Sequence, residues 1–411
     1  MLQLNQCAKI KIAQTIIKKL KNQGFEAFMV GGVVRDYLLN APINFDIDLT
    51  TNALPYQIIQ LFPQQKPIVS YGSMKLVIGS NTFEITTYRK EGEYRDHRHP
   101  EKLVFIKNIQ EDLLRRDFTV NALLMDEYGQ IFDFASGRTD LEQKILRTVK
   151  DPFISFQEDA LRIMRAFYFQ AKLGFRIETN TQQALFQQSY LLTKISYQRI
   201  YEYLQKIIIY PYWHISFQNM MQTKSHFFCN SLTAIIALFA SLNSRTLKEL
   251  QIETSLPESI FWSIALTFNS NIFTIYSIPK AKKKQFQLLL HLKDQITSKC
   301  ELTFNLFQYG LANCLLAAKI NYLLNSYSCP LTHSFLIYMQ ELQTIYKHLP
   351  LKKITDLNIC LKEVFEQIPN NSFILLKNLK KELIGKVLNQ QLPNQKDALM
   401  CFITNYIKKI S

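Results

Sequence analysis

Along the first quarter of the chain, apolar and polar positions alternate between a period near two and a period near 3.6, which predicts short strands interleaved with short helices. Ile10, Ala13, Ile17 and Leu20 fall on helical spacing over residues 9–22, and Gly24 stops them. A strand follows over Phe25–Gly31, a helix over Val33–Asn40, a strand over Asn44–Thr50 and a helix over Pro55–Phe62. Three β-rich runs come next, at Ile68–Tyr71, Met74–Gly79 and Thr82–Tyr88, with turns at Gly72-Ser73 and Ser80-Asn81. The pattern then lapses in RKEGEYRDHRHP, residues 89–100, a charged stretch read as a loop. From Ser155 onward the pattern is almost continuously helical. Ser155 with Glu158 three residues on reads as a capping box for one helix running to about Gly174. Further helices are predicted over 179–190, 197–209, 231–242, 259–268, most of 284–348, and then 357–367, 373–389 and 395–408. The expected fold is therefore an N-terminal α/β head, a mixed sheet with helices, followed by an all-α neck, body and tail. The boundaries expected are 1–150, 151–210, 211–350 and 351–411.

Charge changes that picture by adding a partner. The 411 residues carry a formal net charge of +15. Residues 1–150 hold 20 Lys and Arg against 17 Asp and Glu, whereas 151–411 hold 28 against 16, so +12 of the surplus lies in the helical part. A polyanion is the expected partner for that part, RNA or DNA first; a merely basic surface is the alternative. The seven scattered cysteines form no CxxC pair, which argues against a metal knuckle or a secreted disulfide framework and favours a reducing compartment. The N-terminal stretch is polar with early lysines, and the longest apolar run, Leu232–Leu242, is too short for a bilayer, which needs roughly 20 residues. A cytoplasmic protein with no membrane association and no obligate protein partner is expected.

Candidate chemistry concentrates around residues 31–48. Asp46 and Asp48, one residue apart among Phe45, Ile47 and Leu49, point to one face of a strand, where two like charges call for a cation such as a divalent metal. Alone, an Asp-x-Asp pair equally suits a solvated strand end. Gly31-Gly32 would let backbone approach a phosphate closely, and Arg35 adds a cation on the first helical turn. Glu84, on the run Phe83–Tyr88, is either a third carboxylate beside them or a solvent-facing strand residue. RRDFTVNA, residues 115–122, sets two arginines, Asp117 and Asn121 around a Phe, Val and Ala that must be buried; it suits a charged phosphoryl group or a surface ion pair. In EDALRIMR, residues 158–165, Asp159 and Arg162 lie three apart with Arg165 continuing the row. An ordinary intrahelical ion pair is one reading. The other is recognition, because an acceptor beside a donor complements the edge shared by cytosine and adenine and leaves guanine and uracil mispaired.

The ordered set GGVVRD, DIDLTT, FEITTYR, GEYRDHRHP, EDLLRRDFTVNAL, GRTDLEQKILR and EDALRIMRAFYFQAKLGF resembles the class II nucleotidyltransferases, the family of tRNA CCA-adding enzymes and bacterial poly(A) polymerases. The similarity is strong over about residues 25–180, and a weaker echo starts at Ile384. It implies that Asp46 and Asp48 hold Mg2+ with Glu84 as third carboxylate, and that Gly32 and Arg35 contact the triphosphate. It also implies that Arg116 contacts the nucleotide, that Asp159 and Arg162 select the base, and that Arg165 supports binding. Relatives often carry a further arginine where this chain has Tyr168. Within the family, Arg95, Asp96 and Arg98 in the charged stretch favour a full CCA-adding activity, using CTP and ATP on the tRNA acceptor arm, over CC-only or A-only addition or poly(A) synthesis. A non-catalytic RNA-binding protein would be expected to have lost one of the three carboxylates. The lysine cluster at Lys280 and Lys282–Lys284 is a further candidate RNA contact, or a solvated run.

Overall fold

The structure is a computed structural model that describes residues 8–42, 47–63, 68–70, 72–79, 81–92, 103–296, 299–325, 335–366 and 373–408. It forms two compact units, Met1–Ser241 and Leu242–Ser411.

The first unit begins with α1 (Ala8–Lys21), β1 (Ala27–Val30), α2 (Gly32–Leu38), β2 (Ile47–Thr51) and α3 (Pro55–Leu61). β3 (Ile68–Ser70), β4 (Ser73–Ile78) and β5 (Asn81–Thr87) follow as a meander, then β6 (Arg89–Glu91), β7 (Leu103–Phe105), α4 (Ile109–Leu114), β8 (Leu124–Met125) and β9 (Ile131–Phe132). Seven of these strands make one sheet in the order β3-β4-β5-β2-β1-β8-β9, in which β2 and β5 run parallel and the other pairs are antiparallel. The register sets one face from Ala27, Met29, Ile47, Leu49, Met74, Leu76, Phe83 and Ile85, all buried. The buried stripe of α1, Ile10, Ala13, Ile16, Ile17 and Leu20, belongs to the same core, and α1 packs on β1 and β2. Since side chains alternate across a strand, Asp48 and Glu84 stand on the opposite face. Beside them on that face a second apolar cluster, Val30, Leu113, Ala122 and Leu124, seats α4 and the turn after it against the sheet.

After α5 (Gly137–Glu142) and β10 (Ile145–Leu146), the chain turns helical: α6 (Pro152–Glu158), α7 (Leu161–Leu173), a two-residue strand β11 (Arg176–Ile177), α8 (Thr179–Gln188), α9 (Tyr197–Ile208), α10 (Trp213–Gln222) and α11 (Thr233–Ala240). α7 packs against α9 and α10, and Gly174 closes it in the left-handed conformation at φ 69°. Every regular element among the described residues of the second unit is a helix, from Ser244–Glu249 to Lys396–Lys408.

Three expectations are corrected. The single helix from Ser155 to Gly174 is two, because Asp159 is extended at φ −133°, ψ 98° and breaks the chain between α6 and α7. Its cap is Asp151, whose carboxylate accepts the Phe153 and Ile154 N–H groups with Pro152 in the first turn, so Ser155 is inside α6 and buried. The start of the charged stretch is not a loop: Arg89–Glu91 pairs antiparallel with Leu103–Phe105. The region 284–348 is mostly helical, as expected, in Lys280–Gln295, Lys299–Asn325 and Phe335–Lys347, with a non-helical Gly310 (φ 79°) inside the second. Asp46, Arg95, Asp96 and Arg98 lie outside the described residues.

Candidate active site

A cavity of about 650 Å³ lies within the first unit, and it gathers residues from both its sheet and its helices. Gly31, Gly32, Arg35 and Asp48 line one part, Arg115, Arg116, Asp117 and Asn121 another, and Asp159, Arg162, Arg165 and Tyr168 a third. Thus seven of the residues to which the resemblance gives a role, Gly32, Arg35, Asp48, Arg116, Asp159, Arg162 and Arg165, share one cavity.

At the sheet, Asp48 on β2 is directly opposite Glu84 on β5, so both carboxylates project from the same face of neighbouring strands. Asp48 is exposed there and Glu84 half-buried. Hard oxygen donors at adjacent positions suit a divalent cation. Gly31 sits at φ 78°, ψ −135°, a conformation that glycine alone adopts readily, and this turn brings its backbone beside Asp48.

Arg35 is buried and fixed from two sides. Its Nε donates to Asp36 Oδ1 at 2.7 Å and its Nη1 to Asn121 Oδ1 at 2.6 Å, while its guanidinium lies 5.2 Å from the centre of the Phe169 ring. Asp36 Oδ2 also accepts from Lys172 Nζ at 2.9 Å, joining α2 to α7. Two buried carboxylates then organise the arginines of 115–122. Asp112 accepts from Arg115 Nε at 2.8 Å, from Arg116 Nη2 at 3.2 Å and from the Arg89 N–H at 3.0 Å. Burial pushes its carboxyl up, but these two guanidiniums and the hydrogen bonds outweigh it and hold it below the usual carboxylate range. Arg116 Nε is buried and has no hydrogen-bond partner, an orphaned donor of the kind a ligand satisfies. Asp117 accepts from the Phe118 N–H at 2.8 Å, Asn121 Nδ2 at 3.1 Å and Arg165 Nε at 2.6 Å, and is likewise depressed against burial by Arg165 and those bonds. Phe118, Val120 and Ala122 are fully buried, as the alternation required, and Asp117 is buried with them, so the surface ion pair is excluded here.

At the helices, the break between α6 and α7 gives Asp159 and Arg162 different roles. Asp159 Oδ1 accepts the Leu161 N–H at 3.0 Å, and burial, only partly opposed by Arg162, raises its carboxyl above the ordinary range. Arg162 is buried and donates through Nη1 to Ser155 Oγ (3.0 Å), the Ser155 carbonyl (3.2 Å) and Glu158 Oε2 (3.3 Å), and through Nη2 to the Arg115 carbonyl at 2.6 Å. A guanidinium has five N–H donors, so this anchoring orients Arg162 without exhausting it. Arg165, paired with Asp117, lies 5.2 Å from the Phe169 ring centre, on which Arg35 also rests. Asp36, Asp112 and Lys172 were not singled out from the sequence, Asn121 was named there without a partner, and Glu158 only as a helix cap. Asp36, Asp112 and Glu158 stand inside the motifs GGVVRD, EDLLRRDFTVNAL and EDALRIMR, beside residues that were singled out. Lys172 had a spacing cue, following Arg165 by seven residues on one helical face.

A mixed sheet carrying paired carboxylates, a glycine turn and converging arginines defines a nucleotidyltransferase of class II. Residues 27–147 match the model of the poly A polymerase head domain, and residues 174–228 that of the probable RNA and SrmB-binding site of polymerase A. The chain is 32% identical to the CCA-adding enzyme of Staphylococcus haemolyticus over 402 residues, 96% of this chain and 98% of that one. It is 33% identical to the CCA-adding enzyme of Lactobacillus delbrueckii subsp. bulgaricus over 396 residues, 92% and 95% of the two chains. The crystal structure of the Bacillus stearothermophilus CCA-adding enzyme in complex with CTP superposes with a TM-score of 0.76 at 26% identity, covering 98% of this chain and 99% of that one. The Thermotoga maritima CCA-adding enzyme complexed with tRNA shares the fold, with a TM-score of 0.68 at 18% identity over 98% and 95% of the chains. This chain belongs to the CCA-adding enzymes.

Proposed function

We propose that this protein adds the 3′-terminal CCA to tRNA from CTP and ATP, without a nucleic-acid template, releasing pyrophosphate. The observation that carries it is the single cavity that sets Asp48, the Gly31 turn and Arg35 facing Asp159, Arg162 and Arg165. Asp159, as acceptor, takes the exocyclic amine of cytosine or adenine, and Arg162, held by Ser155 and Arg115, donates to the adjacent ring nitrogen. Guanine and uracil present the reverse order and leave both groups unpaired, a costly outcome for a buried site.

Arg35, Arg116 and Arg165 surround the phosphates with charge that is already oriented by Asp36, Asp112, Asn121 and Asp117, so little reorganisation accompanies the reaction. Asp46, Asp48 and Glu84 would hold Mg2+, which when bound favours ionisation of the primer's 3′-hydroxyl and neutralises phosphate charge. The glycine turn lets backbone approach the triphosphate, and in-line transfer then depends chiefly on positioning. Arg95, Asp96 and Arg98 are read as the loop that permits the switch from CTP to ATP. We retain 1–150 as catalytic head, 151–210 as neck, and 211–350 and 351–411 as body and tail that grip the acceptor arm through phosphate and shape contacts. No helix among the described residues is long and apolar enough to cross a membrane, and the scattered cysteines support a cytoplasmic setting.

The test is to offer a tRNA transcript lacking its 3′ end each of the four nucleoside triphosphates singly and then in pairs. Incorporation of C, and of A only after C, supports the reading; equal use of UTP or GTP would overturn it.

A further inference from the structure

A second cavity, of about 470 Å³, lies in the first unit and shares no lining residue with the candidate active site. It opens between α8, which supplies Gln182, Gln183 and Phe186, and the end of α10, which supplies Gln222, with Ile177 of β11 beside them. Its size falls among small-ligand clefts, roughly 300–1,000 Å³. Phe186 is 47% exposed, although its helix neighbours Ala184 and Leu185 are fully buried. The Lys224 ammonium lies 5.2 Å from the Phe186 ring centre. Lys224 reaches that place from a left-handed backbone, φ 57° and ψ 12°, which glycine or asparagine adopts at lower cost, so a lysine there runs against local preference. Buried Asn219 accepts from Gln182 Nε2 at 2.6 Å and fixes that amide at the wall. None of the described lining residues is acidic, and the carboxylate of Glu178, between Ile177 and Thr179, accepts from Thr181 and pairs with Arg147.

We propose that this cavity seats one unpaired nucleobase of the bound RNA, stacked on Phe186, with the adjoining phosphate on Lys224. This rests on the RNA substrate proposed above, and it puts a contact on the neck, outside the body and tail that grip the acceptor arm. The exposed ring gives a π-face to any base, and Ile177 supplies an apolar flank. Gln183 and Gln222 are exposed, and an amide that can turn offers either a donor or an acceptor to a base edge. Lys224 supplies the point charge that a single phosphate takes. An acidic peptide would call for several cations, and the described lining residues carry none. A duplex has its bases already stacked on one another and offers no face to Phe186, so the occupant is single-stranded.

Stacking and charge are separated by the choice of probe. A short oligouridylate carrying 4-thiouridine and an abasic ribose-phosphate oligomer of equal length are each offered to the full chain, in binding measurements and, for the first, in photocrosslinking. Oligouridylate is expected to crosslink within residues 177–186 or 222–224 and to bind Phe186→Ala about tenfold more weakly. Phe186→Trp restores the affinity, and the abasic oligomer binds Phe186→Ala and wild type alike. Lys224→Met lowers the salt slope by about 0.7, the share of one single-strand phosphate. The KM for CTP and the thermal midpoint keep their wild-type values in each variant, since both side chains are exposed and neither lines the active site. Crosslinks confined to other residues, or an equal loss on the abasic oligomer, would overturn the proposal. Wild-type affinity in Phe186→Ala would also overturn it and assign the exposed ring to a protein partner. Phe186-dependent crosslinking in a chain that adds no C to tRNA would instead overturn the proposed function and leave the base pocket standing.

Discussion

Two carboxylates of the cavity differ in what their environment does to them. Asp117, surrounded by Arg165, Asn121 and a backbone N–H, is depressed, so the native state binds its proton less tightly than the unfolded one. Its contribution to stability is fully present above the unfolded carboxylate pKa and is lost as pH falls through the depressed native value; Asp112 behaves alike. Asp159 has the opposite sign. Its carboxyl is raised by burial, so stability falls as pH rises from the ordinary carboxylate range through the raised native value, and at neutral pH its ionised form detracts from stability. A group that costs stability and faces a cavity is a candidate for binding, as proposed for Asp159. Asp117→Asn is therefore expected to lower stability by about 2–3 kcal/mol in denaturant melts at pH 7, whereas Asp159→Asn leaves the midpoint unchanged or raises it while C incorporation collapses. A lowered midpoint in Asp159→Asn would show the residue to be structural. Arg162→Ala is expected to admit U and G alongside C and A, at least tenfold more than wild type, since each mispaired base edge then meets one fewer unpaired group; slowed incorporation with selectivity intact would assign Arg162 to packing alone. At this scale the sequence revealed the residue types that do chemistry but not their partners. Asp117 and Asn121 were visible only as polar letters within an apolar alternation, and nothing in their spacing says that one grips Arg165 from α7 while the other grips Arg35 from α2.

The elements were legible wherever one period dominated. β2, β4 and β5 follow the alternation, and the register, which spacing cannot give, pairs Asp48 with Glu84 on neighbouring strands. The break at Asp159 was not legible, because the apolar spacing of Phe156, Ile163 and Phe167 runs through it without interruption; a buried Arg162 ties the two helices across the break, reaching back to Ser155 and across to Arg115. β6 was missed for a related reason, since Arg89 and Glu91 look like a solvated loop until Asp112 and Arg115 are seen to pair with them. Gly137, at the start of α5, is tightly constrained: a Cβ there would lie 2.3 Å from the Thr119 carbonyl oxygen, within the turn that carries Asn121. Gly137→Ala is expected to displace that turn, lowering the thermal midpoint by several degrees and CTP incorporation with it. An alanine variant that melts and works like wild type would mean that the turn can shift without disturbing Arg35.

At the scale of the molecule, chemistry and charge are distributed differently. The cavity lies wholly within Met1–Ser241, whereas Leu242–Ser411 carries 20 Lys and Arg against 11 Asp and Glu. The lysine cluster foreseen as an RNA contact opens the helix Lys280–Gln295, where Lys282 is already paired with Glu258 at 2.6 Å and Lys283 rests 5.7 Å from the Phe273 ring centre, so part of that run holds the second unit together. Binding of tRNA by the whole chain is expected to weaken at least tenfold between 50 and 200 mM salt, as counterion release requires, and to survive Asp48→Asn, since Asp48 is proposed to act in the chemical step. Salt-independent binding would remove the phosphate backbone from the account. The most direct test of the whole is product length: purified protein, a tRNA transcript lacking its 3′ end, and CTP alone or CTP with ATP, resolved on a sequencing gel. Protein-directed CCA addition predicts a stop at plus two with CTP alone and at plus three with both; a stop at plus two in either case, or a long ladder from ATP, would contradict it.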